Sequence, residues 1–83
     1  MNHAVRVDVT LRSGIADPAG ATIERSLGAL GFDGVHRMRA GKLFLFEVDA
    51  PSPDAALEVA RGLAERLLSN PVIEDATCSL VDR

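Results

Sequence analysis

Apolar and polar residues alternate near the start of the chain. In the segment from Ala4 to Leu11, charged or polar residues at positions 6, 8 and 10 alternate with the apolar residues Val5, Val7, Val9 and Leu11. A period of two is typical of a strand with one buried face. The sequence therefore predicts a first strand over residues 4–11.

A helix is predicted to follow this strand. Asp17-Pro18 places a capping side chain before a proline at the first helical position, where the missing N–H of proline costs nothing. Gly31 provides the left-handed residue that ends many helices. Between them apolar residues recur at helical spacing, at Ile23, Leu27 and Leu30. We expect the first helix to run from Pro18 to about Leu30.

The same signal occurs a second time, at Ser52-Pro53. Apolar residues again recur at helical spacing behind it, and Asn70-Pro71 disfavours continuation of the helix. A second helix is expected from Pro53 to about Ser69. Its predicted buried face includes Ala56, Ala60, Leu63 and Leu67.

The remaining segments read as strands. Residues 35–40 and 42–48 flank Gly41 and predict a hairpin, and residues 74–81 alternate again, which predicts a final strand. The resulting order is βαββαβ. It predicts an α+β fold in one domain, residues 1–83, with two helices on one face of an antiparallel, ferredoxin-like sheet.

The strand after Gly41 has two apolar faces. Phe44, Phe46 and Val48 share one face, and Leu43 with Leu45 occupies the other, where a solvated sheet would carry polar residues. A loop could cover the leucines, or two exposed leucines could have no role. An interface with another copy explains both, and it suits a chain of 83 residues, because so small a core gives marginal stability.

The one basic cluster covers residues 36–42. Arg37 and Arg39 fall on one side of the predicted strand, with Lys42 after the turn. Such a cluster can bind a carboxylate-bearing protein or a phosphate, or it can be a solvated surface. Since no glycine-rich phosphate loop accompanies it, we expect contact with a protein partner.

Charge and composition narrow the function classes. The net charge is -3 and no Lys/Arg run is present, which argues against nucleic-acid binding. The first strand also lacks the stacking aromatic residues of an RNA-binding βαββαβ domain. Neither a signal peptide nor a membrane span is indicated, so we expect no membrane partner and a cytoplasmic location.

The sequence offers little catalytic chemistry. Its soft metal ligands, His3, His36 and Cys78, are widely separated and lack paired spacing. Cys78 falls on an inward-facing strand position, which is typical of a buried apolar residue. We therefore expect no catalytic residue, no metal site and no cofactor site in this chain. An enzyme of acylphosphatase type would need an arginine-bearing phosphate loop, and only Arg12 is available there.

Four segments in order resemble the PurS family. They are residues 9–20 (VTLRSGIADPAG), 27–32 (LGALGF), 39–42 (RAGK) and 67–74 (LLSNPVIE). The resemblance implies a small, non-catalytic subunit of phosphoribosylformylglycinamidine synthase in purine biosynthesis. It also implies self-association, as a homodimer or a dimer of dimers, and a bridge between the synthetase subunit PurL, which uses ATP and Mg, and the glutaminase subunit PurQ.

Surface positions for these contacts follow from the patterning and not from the resemblance. We expect Arg37, Arg39, Lys42, Leu43 and Leu45 to contact partners or a second copy. The alternative function is a ligand-binding regulatory module of the same layout, resembling an ACT domain, which would bind a small molecule between protomers.

Overall fold

A computed structural model describes residues 1–82. Strand β1 covers Asn2–Leu11, β2 covers Gly41–Asp49 and β3 covers Glu74–Leu80. Helix α1 covers Pro18–Leu27 and continues as a 3-10 turn, Gly28–Leu30. Helix α2 covers Pro53–Leu63 and continues as a π-helical turn, Ala64–Leu68.

The three strands form one antiparallel sheet in the order β2-β1-β3. Val7 of the central strand lies opposite Phe44 of β2 and Cys78 of β3. The predicted α+β class, with an antiparallel sheet and two helices, is confirmed.

The core lies between the sheet and α2. Val5, Val7 and Val9 are almost fully buried, and α2 packs on all three strands. The helix meets the sheet through small side chains, which let its axis come close to the strands. These buried alanines are Ala56, Ala60 and Ala64.

Both helices begin where the sequence predicts. Asp17 accepts a hydrogen bond from the N–H of Gly20 at 2.9 Å, and Ser52 accepts one from the N–H of Ala55 at 3.1 Å. Gly31 ends the turn after α1 in the left-handed conformation, with φ of 86°. Leu67 departs from the prediction, because it lies in the wider π-helical turn and is exposed, not part of the core.

The predicted strand over residues 35–40 was wrong. This segment pairs with no strand, and Arg37 within it has a left-handed backbone, with φ of 59°, which a strand cannot contain. The N–H of Met38 donates to Glu24 instead, and that of Ala40 donates to Asp17. The segment therefore lies against α1, and β2 keeps an open edge.

The protomer is flat and extended. Its Cα radius of gyration is 16.1 Å, against about 12 Å for a compact domain of 83 residues. Helix α1 supplies only Gly20 to the buried residues, so it does not lie on the sheet as a second covering helix. Apolar side chains on and after α1 stay exposed, among them Ile23, Leu30, Phe32 and Val35.

Candidate functional site

The most elaborate polar arrangement surrounds Asp17, where α1 begins. Its carboxylate accepts hydrogen bonds from the N–H of Gly20 at 2.9 Å and from that of Ala40 at 2.8 Å, and it lies 3.9 Å from the guanidinium of Arg39. These interactions favour the charged form, so the pKa of Asp17 is lowered, first by the Gly20 N–H and then by the Ala40 N–H. Asp17 thus joins the start of α1 to the segment before β2.

Arg39 completes this junction from the other side. Its guanidinium donates to the carbonyl oxygen of Leu11 at 3.1 Å and, at 3.4 Å each, to those of Arg12 and Ile15. Those carbonyls belong to the end of β1 and the loop after it. Arg39, predicted as a partner contact, therefore has three acceptors within its own chain.

Glu24 holds the same segment about two turns further along α1. Its Oε1 accepts a hydrogen bond from the N–H of Met38 at 2.7 Å. Gly20 makes the close approach possible, since an added Cβ would lie 2.6 Å from the carbonyl oxygen of Met38. Residues 37–40 are thereby fixed along α1 without any strand pairing.

An open cleft of about 620 Å³ lies between α1 and this segment. Arg25 and Arg37 line it together with the internally bonded Arg39, and Ile15 and Met38 contribute apolar surface. Sequence reasoning selected Arg37 for this surface but missed Arg25. Arg25 follows Glu24 on the predicted polar face of the helix, and no local pattern distinguishes it.

The other predicted contact residues lie elsewhere. Lys42 is on the α2 side of the sheet, 3.8 Å from Glu74 of β3. Leu43 and Leu45 lie on the opposite face, 50% and 66% exposed. The structure therefore does not bring the five predicted residues into one surface.

The two leucines have polar neighbours. Leu43 is paired with Asp8 and Leu45 with Arg6, and these two β1 residues form an ion pair at 3.0 Å. On the outer face of the sheet, Leu43 and Leu45 thus form a small apolar patch beside charged side chains.

Groups with catalytic potential are few within residues 1–82. No cluster of three or more His, Cys, Asp or Glu side chains there could hold a metal ion. Burial raises the pKa of the Cys78 thiol, which lowers its thiolate fraction at neutral pH. No helix in this part of the chain is long and apolar enough to cross a membrane.

Comparison with known proteins gives one consistent family. The PurS profile, described as phosphoribosylformylglycinamidine (FGAM) synthase, matches residues 4–82. The chain is 45% identical to the synthase subunit PurS of Mycobacterium leprae, over 86% of each chain. It is 38% identical to the PurS subunit of a Synechocystis species, over 90% of this chain and 77% of that one.

The fold leads to the same family. The chain superposes on one from the structure of PurLQS from Thermotoga maritima with a TM-score of 0.90 and 34% identity, covering 98% of this chain and 99% of that one. Family profile, relatives and structure agree over nearly the whole length. The chain therefore belongs to the PurS family of phosphoribosylformylglycinamidine synthase subunits.

Proposed function

We propose that this chain is the non-catalytic assembly subunit of phosphoribosylformylglycinamidine synthase in de novo purine (IMP) biosynthesis. It joins a PurL-type synthetase to a PurQ-type glutaminase and supports the passage of ammonia between them. The observation that carries the proposal is the likeness, over almost the full length of both chains, to a chain of the Thermotoga maritima PurLQS structure. The proposal includes a cytoplasmic location, in keeping with a purine-biosynthetic role.

The chemistry of the described residues supports a role in assembly. Asp17 and Glu24 have carboxylates bonded to backbone N–H groups, and Glu74 accepts from the N–H of Asn70 at 2.7 Å. Groups committed in this way hold the fold together and are poor candidates for proton transfer. We assign ATP, Mg and glutamine to the larger subunits.

Self-association is the second part of the proposal. The protomer exposes 5935 Å², whereas a compact protein of 8.8 kDa exposes about 4,800 Å². The excess of roughly 1,100 Å² exceeds the ~800 Å² that each partner contributes to a standard interface. A homodimer, or a dimer of dimers, would cover this surface.

The exposed apolar residues indicate where a second copy would lie. Phe44 and Phe46 face the α2 side of the sheet but are only partly buried, since α1 does not cover them. We assign these residues, the apolar side of α1, and Leu43 with Leu45 to contacts between copies. Arg37, which lines the cleft beside Glu24 and Arg25 of α1, is assigned to a larger subunit. Arg39 and Lys42 contribute mainly within the chain.

The test is reconstitution of the synthase. Purified synthetase and glutaminase are assayed for formylglycinamidine ribonucleotide synthesis from glutamine, with and without this chain, and in parallel with ammonia in place of glutamine. We expect glutamine-dependent activity only when the chain is added, and ammonia-dependent activity in its absence as well.

Two results would count against the proposal. Equal glutamine-dependent activity with and without the chain would remove the assembly role. Activity of the isolated chain with either nitrogen source would contradict a non-catalytic subunit. The family match replaces the ACT-like alternative, which rested on the order of elements alone.

A further inference from the structure

We propose that the cleft between α1 and residues 37–40 is a docking site for an acidic segment of one of the two larger subunits. Arg25 and Arg37 bind its carboxylates, and the apolar lining receives a neighbouring side chain. This inference rests on the proposed function and adds a location and a chemistry to one of its contacts.

The first argument is uncompensated charge. Three arginines line the cleft against two carboxylates, those of Asp17 and Glu24. Asp17 and Arg39 interact with each other, and Glu24 is held by the N–H of Met38.

The two remaining arginines have no acidic partner within residues 1–82. Arg25 donates to the hydroxyl of Thr22 at 3.2 Å, and Arg37 has neither a hydrogen bond nor an ion pair there. Guanidinium groups bind carboxylates well because their planar donors match two oxygens at once. The cleft has one more arginine than carboxylates, and neither Arg25 nor Arg37 is in an ion pair within residues 1–82, so the pair suits an acidic ligand.

The second argument is the backbone of Arg37. Its φ of 59° is a conformation that glycine and asparagine adopt readily and that other residues disfavour. Such a conformation persists only where surrounding contacts impose it, and here the hydrogen bonds of the next three residues do so. The backbone that carries Arg37 is therefore already ordered before a partner binds, which lowers the backbone part of the entropy cost of binding.

The lining favours a protein segment over a phosphate-bearing small molecule. Ile15, Ala21 and Met38 give the cleft apolar surface, which an adjacent apolar side chain of a peptide would contact. No glycine-rich loop beside the cleft supplies the N–H donors that phosphate sites commonly use.

The experiment measures binding of the full chain to immobilised synthetase and, separately, to immobilised glutaminase at several NaCl concentrations. The test variant is Arg25→Gln with Arg37→Asn, because asparagine keeps the left-handed backbone without the charge. Arg66→Gln is the matched control, since Arg66 is an exposed arginine on the π-helical turn after α2. Arg25→Gln with Arg37→Lys tests whether a charge at position 37 restores binding.

For one of the two subunits we expect the double variant to raise Kd about tenfold at low salt and to flatten its salt dependence. Arg66→Gln should bind as the unmodified chain does, and Arg25→Gln with Arg37→Lys should recover part of the loss. Sizing of the double variant alone should give the same oligomer as the unmodified chain.

Three outcomes would overturn the inference. If the unmodified chain binds neither subunit, the proposed function fails and the inference with it. If the unmodified chain binds and the double variant matches it in Kd and salt dependence, the docking site alone is wrong. If the double variant instead loses self-association, the occupant of the cleft is a second copy.

Discussion

At the scale of single residues, Asp17 has more roles than its motif indicates. As the residue before Pro18 it is predicted to cap a helix, and it does so. The same carboxylate also accepts from the N–H of Ala40 and interacts with Arg39. One side chain therefore connects the start of α1 with the segment that leads into β2.

The lowered pKa of Asp17 predicts a pH dependence of stability. Because the folded state favours the carboxylate, this stabilisation is fully present above the pKa of the unfolded chain, about 3.9. It is lost as the pH falls through the lower pKa of the folded state. Asp17→Asn retains a capping side chain but removes the charge, so the variant should be less stable than the unmodified chain at pH 7, by a margin that shrinks towards pH 2.

Urea unfolding at pH 7 and at stepwise lower pH measures this margin. Asp54→Asn is the control, since Asp54 also lies in the first turn of a helix, but its side chain is exposed and has no hydrogen bond or ion pair within residues 1–82. A margin for Asp17→Asn that is independent of pH would show that the carboxylate charge does not stabilise the junction.

Gly20 is required by packing and not by backbone conformation. A Cβ at this position would lie 2.6 Å from the carbonyl oxygen of Met38 and 2.7 Å from Asp17 Oδ2, whereas a Cβ on Gly28 would meet nothing within 4 Å. We expect Gly20→Ala to lower the free energy of unfolding by about 1–3 kcal/mol. Gly28→Ala should raise it by up to about 1 kcal/mol through helix propensity.

Urea denaturation of both glycine variants at one pH checks this difference in sign. Equal effects of the two substitutions would mean that the segment at Met38 does not stay close to α1 in solution.

At the scale of elements, the strands and helices that could be predicted have local causes. The alternation of Val5, Val7 and Val9 defines β1, and capping residues before Pro18 and Pro53 define the helix starts. Such signals lie within a few residues of the element they specify. These local signals were sufficient to predict the fold class and the start of both helices.

Residues 35–40 could not be assigned in this way, because their hydrogen-bond partners are distant in sequence. The N–H of Met38 bonds to a side chain 14 residues away and that of Ala40 to one 23 residues away. The same distance hid the internal role of Arg39, whose acceptors lie at the end of β1 and just after it. Exposure of Leu43 and Leu45 was predictable, since it follows from strand alternation.

Helix α2 depends on small residues where it meets the sheet. Ala60 is fully buried, and Val59 beside it is 53% exposed. Ala60→Leu adds three carbon atoms to a closely packed contact, so it should lower the free energy of unfolding by about 1–3 kcal/mol. Val59→Leu, on the outer face, should change it by less than about 0.5 kcal/mol.

Urea unfolding of the two α2 variants makes the comparison. A neutral effect of Ala60→Leu would mean that α2 lies further from the sheet than the burial of Ala56, Ala60 and Ala64 indicates.

At the scale of the whole molecule, residues 1–82 leave much apolar surface uncovered. Among residues 1–82, α2 is the one helix that covers the sheet, and Ile23 of α1 and Leu30 of the turn after it stay exposed. The described residues also supply no fourth strand beside β2, where a ferredoxin-like order would place one. Stability and association are therefore expected to be coupled, so unfolding should shift with protein concentration.

Ile23→Asp tests which surface holds the copies together. Ile23 is 46% exposed on α1, so a charge there should leave the protomer folded but disrupt an apolar interface. In a two-fold dimer each substitution occurs twice, and the dissociation constant should rise by at least about a hundredfold. Sedimentation equilibrium should then give 8.8 kDa for the variant and at least twice that for the unmodified chain.

The control is Val59→Asp, on the outer face of α2, which should keep the larger mass. If Val59→Asp dissociates the oligomer and Ile23→Asp does not, the copies meet through α2, and the exposed side of α1 has to be assigned to a larger subunit.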